Sequence, residues 1–307
     1  MRIIFMGTPA FAVKSLEACL ALGEVVAVVT QPDKPRGRGQ EVSFSPVKEL
    51  ALAHGLPVLQ PVKIKGTDFA AQLRGLHADI AVVTAYGKIL PQDVLDAPRR
   101  GCVNVHASLL PRFRGAAPIQ WALAAGDEKT GVCLMQMDAG MDTGGLIDRA
   151  ELPIGPDDTS ATLHDRLSVL GGEVLRRSLV PYVEGALPVV PQPGEGVVMA
   201  PMIKKEEGRL DWSRSARELE RRLRAFTPWP GAFCTFDGGL LKVAKAAVGS
   251  GQGKPGTVLS ASADGVEVAC AEGSLKLLSL QPEGKRPMTA QEFLAGRKLV
   301  PGSTPFS

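Results

Sequence analysis

Residues 101–115 read Gly-Cys-Val-Asn-Val-His-Ala-Ser-Leu-Leu-Pro-Arg-Phe-Arg-Gly. Val103 and Val105 alternate with Asn104 and His106, the period of two that marks a strand. Asn104 and His106 therefore share one face, about 7 Å apart along the strand. A neutral amide that donates and accepts stands beside an imidazole that titrates near neutrality. Ser-Leu-Leu-Pro and a basic turn follow at once, so the pair sits at the strand's carboxyl end, where open α/β sheets bind ligands. Residues 137–145 then read Met-Asp-Ala-Gly-Met-Asp-Thr-Gly-Gly, a Gly-rich loop from which Asp142 can bend back over the strand end. On these residues alone, a hydrogen-bonded core histidine and a catalytic one are evenly matched readings of His106.

The segments on either side show what kind of sheet holds this strand. Residues 79–85 (Asp-Ile-Ala-Val-Val-Thr-Ala) form a near-continuous apolar run, as expected of a central parallel strand covered on both faces. Tyr86 and Gly87 follow at its carboxyl end, a wall for a flat ligand or a plain turn. Residues 2–6 make a buried strand, Gly7-Thr8-Pro9 turns it into a helix over 10–22, and a strand follows at 25–30. This βαβ opening predicts a right-handed crossover and a parallel sheet. Helices at 46–54, 68–75, 118–125 and 157–184 alternate with strands at 58–60, 131–137 and 146–152. The fold class is α/β: a Rossmann-like, mostly parallel sheet with helices on both faces. A dinucleotide site would need Gly-x-Gly-x-x-Gly after the first strand, and only Gly7 is present, so NAD is not expected.

Residues 30–40 (Thr-Gln-Pro-Asp-Lys-Pro-Arg-Gly-Arg-Gly-Gln) hold two prolines, two glycines and three cations, which predicts an irregular segment. It reads either as a surface loop or as an arm whose Lys34, Arg36 and Arg38 contact phosphates. Pro188, Pro191, Pro193 and Pro201 punctuate a linker over 186–206. Beyond it a helix from Ser213 carries Ala216, Leu219, Leu223 and Phe226 on one stripe and arginines over the rest. Five short strands with Gly-rich turns then suggest a smaller OB-like β-barrel over 207–307, and Thr289 to Glu292 is a capping box for a last helix.

Hydrophobic residues make up 45% and charged residues 22% of the 307, the balance of a soluble globular chain long enough for two domains. The longest apolar runs are too short to span a membrane. Five scattered cysteines without a Cys-x-x-Cys pair make metal and disulfide readings weak and fit a reducing cytoplasm. The net charge of +3 is uneven: residues 204–307 carry 16 Lys and Arg against 11 Asp and Glu, leaving 19 against 21 for the rest. A basic C-terminal part suits a polyanionic partner, and equally a solvated surface.

The string Asn-x-His-x-Ser-Leu-Leu-Pro with Asp-x-Gly-x-Asp-Thr-Gly resembles the signature of the folate-dependent formyltransferases. Over nearly its whole length the chain resembles the methionyl-tRNA formyltransferase family. Gly-Thr-Pro at 7–9, the 30–39 stretch, Ser-Pro-Val-Lys at 45–48 and Ala-Tyr-Gly at 85–87 carry that resemblance, as do Arg-Gly-Ala-Ala-Pro-Ile-Gln at 114–120 and Phe-Thr-Pro-Trp-Pro-Gly at 226–231. It implies catalytic roles for Asn104, His106 and Asp142. It implies a folate site lined by Ser108, Leu109, Leu110 and Pro111 beside Tyr86 and Gly87, and tRNA contacts from Lys34, Arg36 and Arg38. The implied donor is 10-formyltetrahydrofolate and the implied acceptor is methionyl initiator tRNA. Formyl transfer to an amine requires no metal, hydropathy gives no membrane span, and a cytoplasmic monomer is expected. Residues 1–185 would be the catalytic domain and 207–307 the tRNA-binding one. Met202 and Trp121 depart from the family pattern, the first putting a linker contact to tRNA in doubt. Rival readings are a formyltransferase for a sugar nucleotide or purine precursor, a formyl-folate hydrolase, and a tRNA-binding module with an idle site.

Overall fold

A computed structural model of the chain describes residues 1–36 and 41–306. It divides into two compact units, one of Met1–Pro118, Lys129–Pro153 and His164–Pro201, the other of Ile119–Glu128, Ile154–Leu163 and the residues from Met202 onward. The strands of the first unit are β1 (Arg2–Gly7), β2 (Glu24–Val29), β3 (Lys34–Arg36), β4 (Glu41–Ser43), β5 (Val58–Leu59), β6 (Ile80–Thr84), β7 (Cys102–His106), β8 (Lys129–Gln136) and β9 (Leu146–Pro153). The helices up to this point in the fold are α1 (Val13–Leu22), α2 (Pro46–Ala53), α3 (Phe69–Gly75), α4 (Gln92–Leu95), α5 (Pro118–Ala125) and α6 (Ser160–Val183).

Seven strands make one sheet in the order β5-β2-β1-β6-β7-β8-β9. The first five run parallel, and β8 and β9 close the edge antiparallel. Ile3, Ile4, Phe5 and Met6 of β1 are all 0% exposed, so this strand is covered on both faces. One face packs Ile4, Met6, Ala81, Val83 and Cys102 against Phe69 and Leu73 of α3 and Val94 and Leu95 of α4. On the other, Gly171 of α6 comes so near that a Cβ there would lie 2.9 Å from the Val105 side chain. Strand order reverses between β1 and β6, which makes the crevice beyond their carboxyl ends the place for a ligand.

Three local features differ from the sequence expectation. The short α4 was not foreseen, because four residues carry no helical period. The basic stretch expected to be irregular contains β3, which pairs antiparallel with β4 and sets Pro35 opposite Val42. Proline is tolerated there because a two-stranded ribbon is all edge. Residues 37–40, Arg38 among them, lie outside the described residues. Residues 186–201 pack with the first unit: Leu146 and Val190 exchange backbone hydrogen bonds of 2.7 and 2.8 Å. Arg114 donates to the Val198 carbonyl at 2.9 Å and receives the Ala200 N–H at 2.7 Å.

The second unit holds β10 (Ala232–Phe236), β11 (Gly239–Gly249), β12 (Val258–Ser262), β13 (Gly265–Ala269), β14 (Ser274–Pro282) and β15 (Met288–Thr289), with α7 (Ala216–Ala225) and α8 (Ala290–Leu294). The sheet is antiparallel in the order β10-β11-β14-β13-β12, with β15 on β14, and among the described residues no ladder joins β12 to β10. Leu219 and Leu223 of α7 are buried with Val243, Val268, Leu275, Leu277 and Phe293. The helix begins later than Ser213, because the Asp211 carboxylate takes the Ser213 hydroxyl and N–H, and Ser215 caps it by accepting from Glu218 N at 3.2 Å. Thr289 and Glu292 form the full capping box of α8. Among the described residues no helix is long and apolar enough to cross a membrane.

Candidate active site

Cys102, Asn104 and His106 lie on one face of β7, the face covered by α3 and α4, and His106 ends the strand. Asn104 is partly exposed and His106 is buried. The chain then turns through Ser108, whose hydroxyl donates to the Arg112 carbonyl at 2.7 Å, and through a cis Leu110–Pro111 bond. That turn brings the Phe113 carbonyl back to His106, whose Nε2 donates to it at 2.9 Å. A carbonyl only accepts, so the contact fixes the proton of the neutral ring on Nε2 and leaves Nδ1 as the atom able to gain or lose one.

Nδ1 faces the Asp142 carboxylate, with Oδ2 at 3.7 Å. This is longer than a hydrogen bond and within ion-pair reach. The same Oδ2 accepts the Gly115 N–H at 2.8 Å. Asp142 holds φ +53, a conformation that costs a non-glycine residue of order 1–3 kcal/mol and recurs at working sites. Asp138, four residues earlier, is used inside the loop: its Oδ1 accepts from Gly140 N at 3.0 Å and from the Thr143 hydroxyl at 2.7 Å. The two aspartates thus have separate duties, one shaping the loop and one facing the histidine.

The remaining expected site residues divide. Ser108 and Leu110 are buried, Leu110 against Cys133 and Met135, and their side chains build the turn. Leu109 and Pro111 are partly exposed beside them. The Tyr86 side chain points into the apolar cluster of Ile4, Met6 and Leu73, where burial pushes its phenol up to about 12. Only the backbone of Tyr86 and Gly87 is left for a ligand, and both carbonyls face Gln31 Nε2, at 2.9 and 3.4 Å. Lys34 and Arg36 lie on β3.

A cleft of about 350 Å³ opens beyond the carboxyl ends of β1, β2 and β6, lined by Thr8, Gln31, Asp33, Phe44, Ser45 and Ala85. Its floor is a polar network: Lys48 pairs with Asp33 and donates to Gln60 Oε1 at 2.9 Å, and Gln60 Nε2 donates to Gln31 O at 2.9 Å and Asp33 Oδ1 at 3.0 Å. The Lys48 ammonium holds the Asp33 carboxyl below the usual carboxylate range, against a smaller opposing effect of burial. Sequence reading missed four groups at the corner where His106 meets Asp142: the Phe113 carbonyl, the Gly115 N–H, Arg114 and Gln192. Two are main-chain groups, which carry no residue signal, and Gln192 sits in a Pro-rich run without periodicity.

Comparison with known proteins gives the family of the chain. The formyl transferase family model matches residues 1–179, and the model of the formyl transferase C-terminal domain matches 202–298. The chain therefore belongs to the formyl transferase family and is a formyltransferase. The methionyl-tRNA formyltransferase of Myxococcus xanthus (strain DK1622) is 63% identical over 99% of this chain and 98% of its own length. That of Citrifermentans bemidjiense is 50% identical over 98% and 95%. The crystal structure of WlaRD, a sugar 3N-formyl transferase in the presence of dTDP and 5-N-formyl-THF, superposes with a TM-score of 0.69 at 17% identity, over 93% of this chain and 99% of that one.

Proposed function

We propose that this enzyme transfers the formyl group of 10-formyltetrahydrofolate to the α-amine of methionyl initiator tRNA, in the cytoplasm and as a monomer. The observation that carries the chemistry is the His106 ring, tied by Nε2 to the Phe113 carbonyl and facing Asp142 through Nδ1 at 3.7 Å. The amine nitrogen attacks the formyl carbon, the carbon passes through a tetrahedral oxyanion, and its bond to N10 breaks. Asn104 donates to the oxyanion, a device worth about 3–4 kcal/mol per donor. His106 Nδ1, on the side that faces the Asp142 carboxylate, takes the amine proton and returns it to the leaving N10, so that the attacking nitrogen is neutral and the departing one is not an anion. Holding donor and acceptor together makes a covalent enzyme intermediate unnecessary.

The folate is assigned to Ser108, Leu109, Leu110, Pro111, Tyr86 and Gly87, acting largely through the main chain, since the Ser108, Leu110 and Tyr86 side chains are buried. The cleft at the β1–β6 switch is assigned to the aminoacyl end of the acceptor, with Lys34, Arg36 and Arg38 on the acceptor stem. Residues 1–185 form the catalytic domain, the 186–206 connection packs on it as far as Pro201, and 207–307 form an OB-like tRNA-binding domain. Full-length identity to two methionyl-tRNA formyltransferases supports the acceptor over a sugar nucleotide. The test supplies 10-formyltetrahydrofolate with charged initiator tRNA, with an amino-sugar nucleotide, or with water alone, and follows formyl release and capture. Transfer to the tRNA alone is expected. Faster transfer to the sugar, or release into water at the same rate without acceptor, would replace this reading.

A further inference from the structure

Gln192 joins the two loops that carry the catalytic groups. Its amide nitrogen donates to the Asp142 carbonyl at 2.8 Å and to the Gly144 carbonyl at 2.8 Å. Its Oε1 accepts from Arg114 Nε at 3.1 Å and Nη2 at 2.7 Å. Two N–H donors and two lone pairs are all a glutamine amide has, and each is used. On one side stands the 138–145 loop, on the other the turn after β7 that supplies Phe113 O to His106 and Gly115 N to Asp142. The backbone around Gln192 is stitched to the start of β9 just after the first loop, through Val190 to Leu146, and to the second, through Val198 and Ala200 to Arg114. At Gly115, with φ +123, a Cβ would lie 2.6 Å from the Ala200 carbonyl, so the strap lies directly on that turn.

We infer that Gln192 is a positioning residue for formyl transfer, holding Asp142 at its distance from His106 by tying the Asp142 and Gly144 carbonyls to Arg114. The inference rests on the catalytic roles proposed above. Asp142 is held in the left-handed region, a conformation that persists in a non-glycine residue where the surrounding structure imposes it. Gly115 N grips only the carboxylate end, and Gln192 grips the backbone end. Released there, the residue can relax its φ and swing the carboxylate away from Nδ1 while the fold around it persists. Gln192 touches no reacting atom in this scheme, so its whole effect passes through Asp142.

The test compares Gln192→Glu and Gln192→Leu with the unaltered enzyme. The glutamate keeps the size and the Arg114 pairing but sets an acceptor against two carbonyl oxygens, and the leucine removes every polar contact. In both, kcat is expected to fall roughly 10–100-fold, the range a displacement of about 1 Å in a catalytic group produces. KM for charged tRNA and for the formyl donor stays within about threefold, because neither substrate meets the amide. The distinguishing measurement repeats Gln192→Glu in an Asp142→Asn background under single-turnover conditions. If the amide works through the carboxylate, the second change costs less than about twofold there. Either a kcat within twofold of the unaltered enzyme, or the same loss with and without the Asp142 carboxylate, overturns the inference. Failure of the formyl-transfer reading would look different, since the unaltered enzyme would then form no formylated tRNA at all.

Discussion

His106 and Asp142 can be probed separately because they are held by different partners, the Phe113 carbonyl and the Gly115 N–H. Asp142→Asn keeps the shape and the acceptor for Gly115 N, yet removes the charge facing Nδ1. It should lower kcat by roughly 10²–10⁴-fold, the range of a lost acid–base partner, with the melting temperature nearly unchanged. Steady-state kinetics beside calorimetry checks this, and normal turnover would take Asp142 out of the chemistry. His106→Ala should instead cost stability as well, because the Phe113 carbonyl loses its shorter hydrogen bond and keeps only the Ser108 hydroxyl at 3.5 Å. Gly144 is a different kind of residue: a Cβ there would lie 1.7 Å from the Gln136 carbonyl, which cannot yield without breaking the β8 edge. Gly144→Ala should destabilise by about 2–3 kcal/mol in urea unfolding and lower activity with it, since Gly144 O is one of the two carbonyls held by Gln192.

At the scale of elements, the base of the β3–β4 ribbon hangs on one network linking β2, α2 and the residue after β5. Lys48 reaches from α2 to Asp33 and lies 4.1 Å from the centre of the Phe44 ring. Asp33 is the titrating member, and its carboxyl is held low by the hydrogen bond from Lys48. A group whose folded-state pKa is depressed adds stability in full above its unfolded value of about 3.9, and loses it as pH falls through the folded value. Lys48→Met should therefore destabilise at pH 7, with the difference from the unaltered protein shrinking toward zero in acid as Asp33 is protonated in both. Urea titrations at neutral pH and at successively lower pH, carried down through the acid limb, read this directly. A difference that persists undiminished in acid would assign the effect to Lys48 packing on Phe44 instead.

Across the whole molecule, each unit closes its own apolar interior, and the five cysteines are spent on those interiors. All five are free and buried. Burial raises Cys102 and Cys234 to about 12 and Cys133 and Cys270 to about 11, and Cys19 higher still. A thiol reacts as its thiolate, so a colorimetric disulfide reagent at pH 8 should find almost no reactive cysteine in the native protein and all five in guanidinium. Rapid modification of the native form would show that one of these cores opens. Periodicity in the chain was enough to predict the parallel α/β sheet, the strand bearing Asn104 and His106, the apolar stripe of α7 and the capping box of α8. These are local regularities, written in the order of apolar and polar side chains along a few turns or pleats. Tertiary structure alone decided that β8 and β9 run antiparallel and that residues 186–201 fold back onto the first unit. It alone decided that the Phe113 carbonyl and the Gly115 N–H meet His106 and Asp142. Those outcomes depend on main-chain carbonyls and N–H groups, identical in every residue, meeting across distances along the chain that no periodic pattern spans.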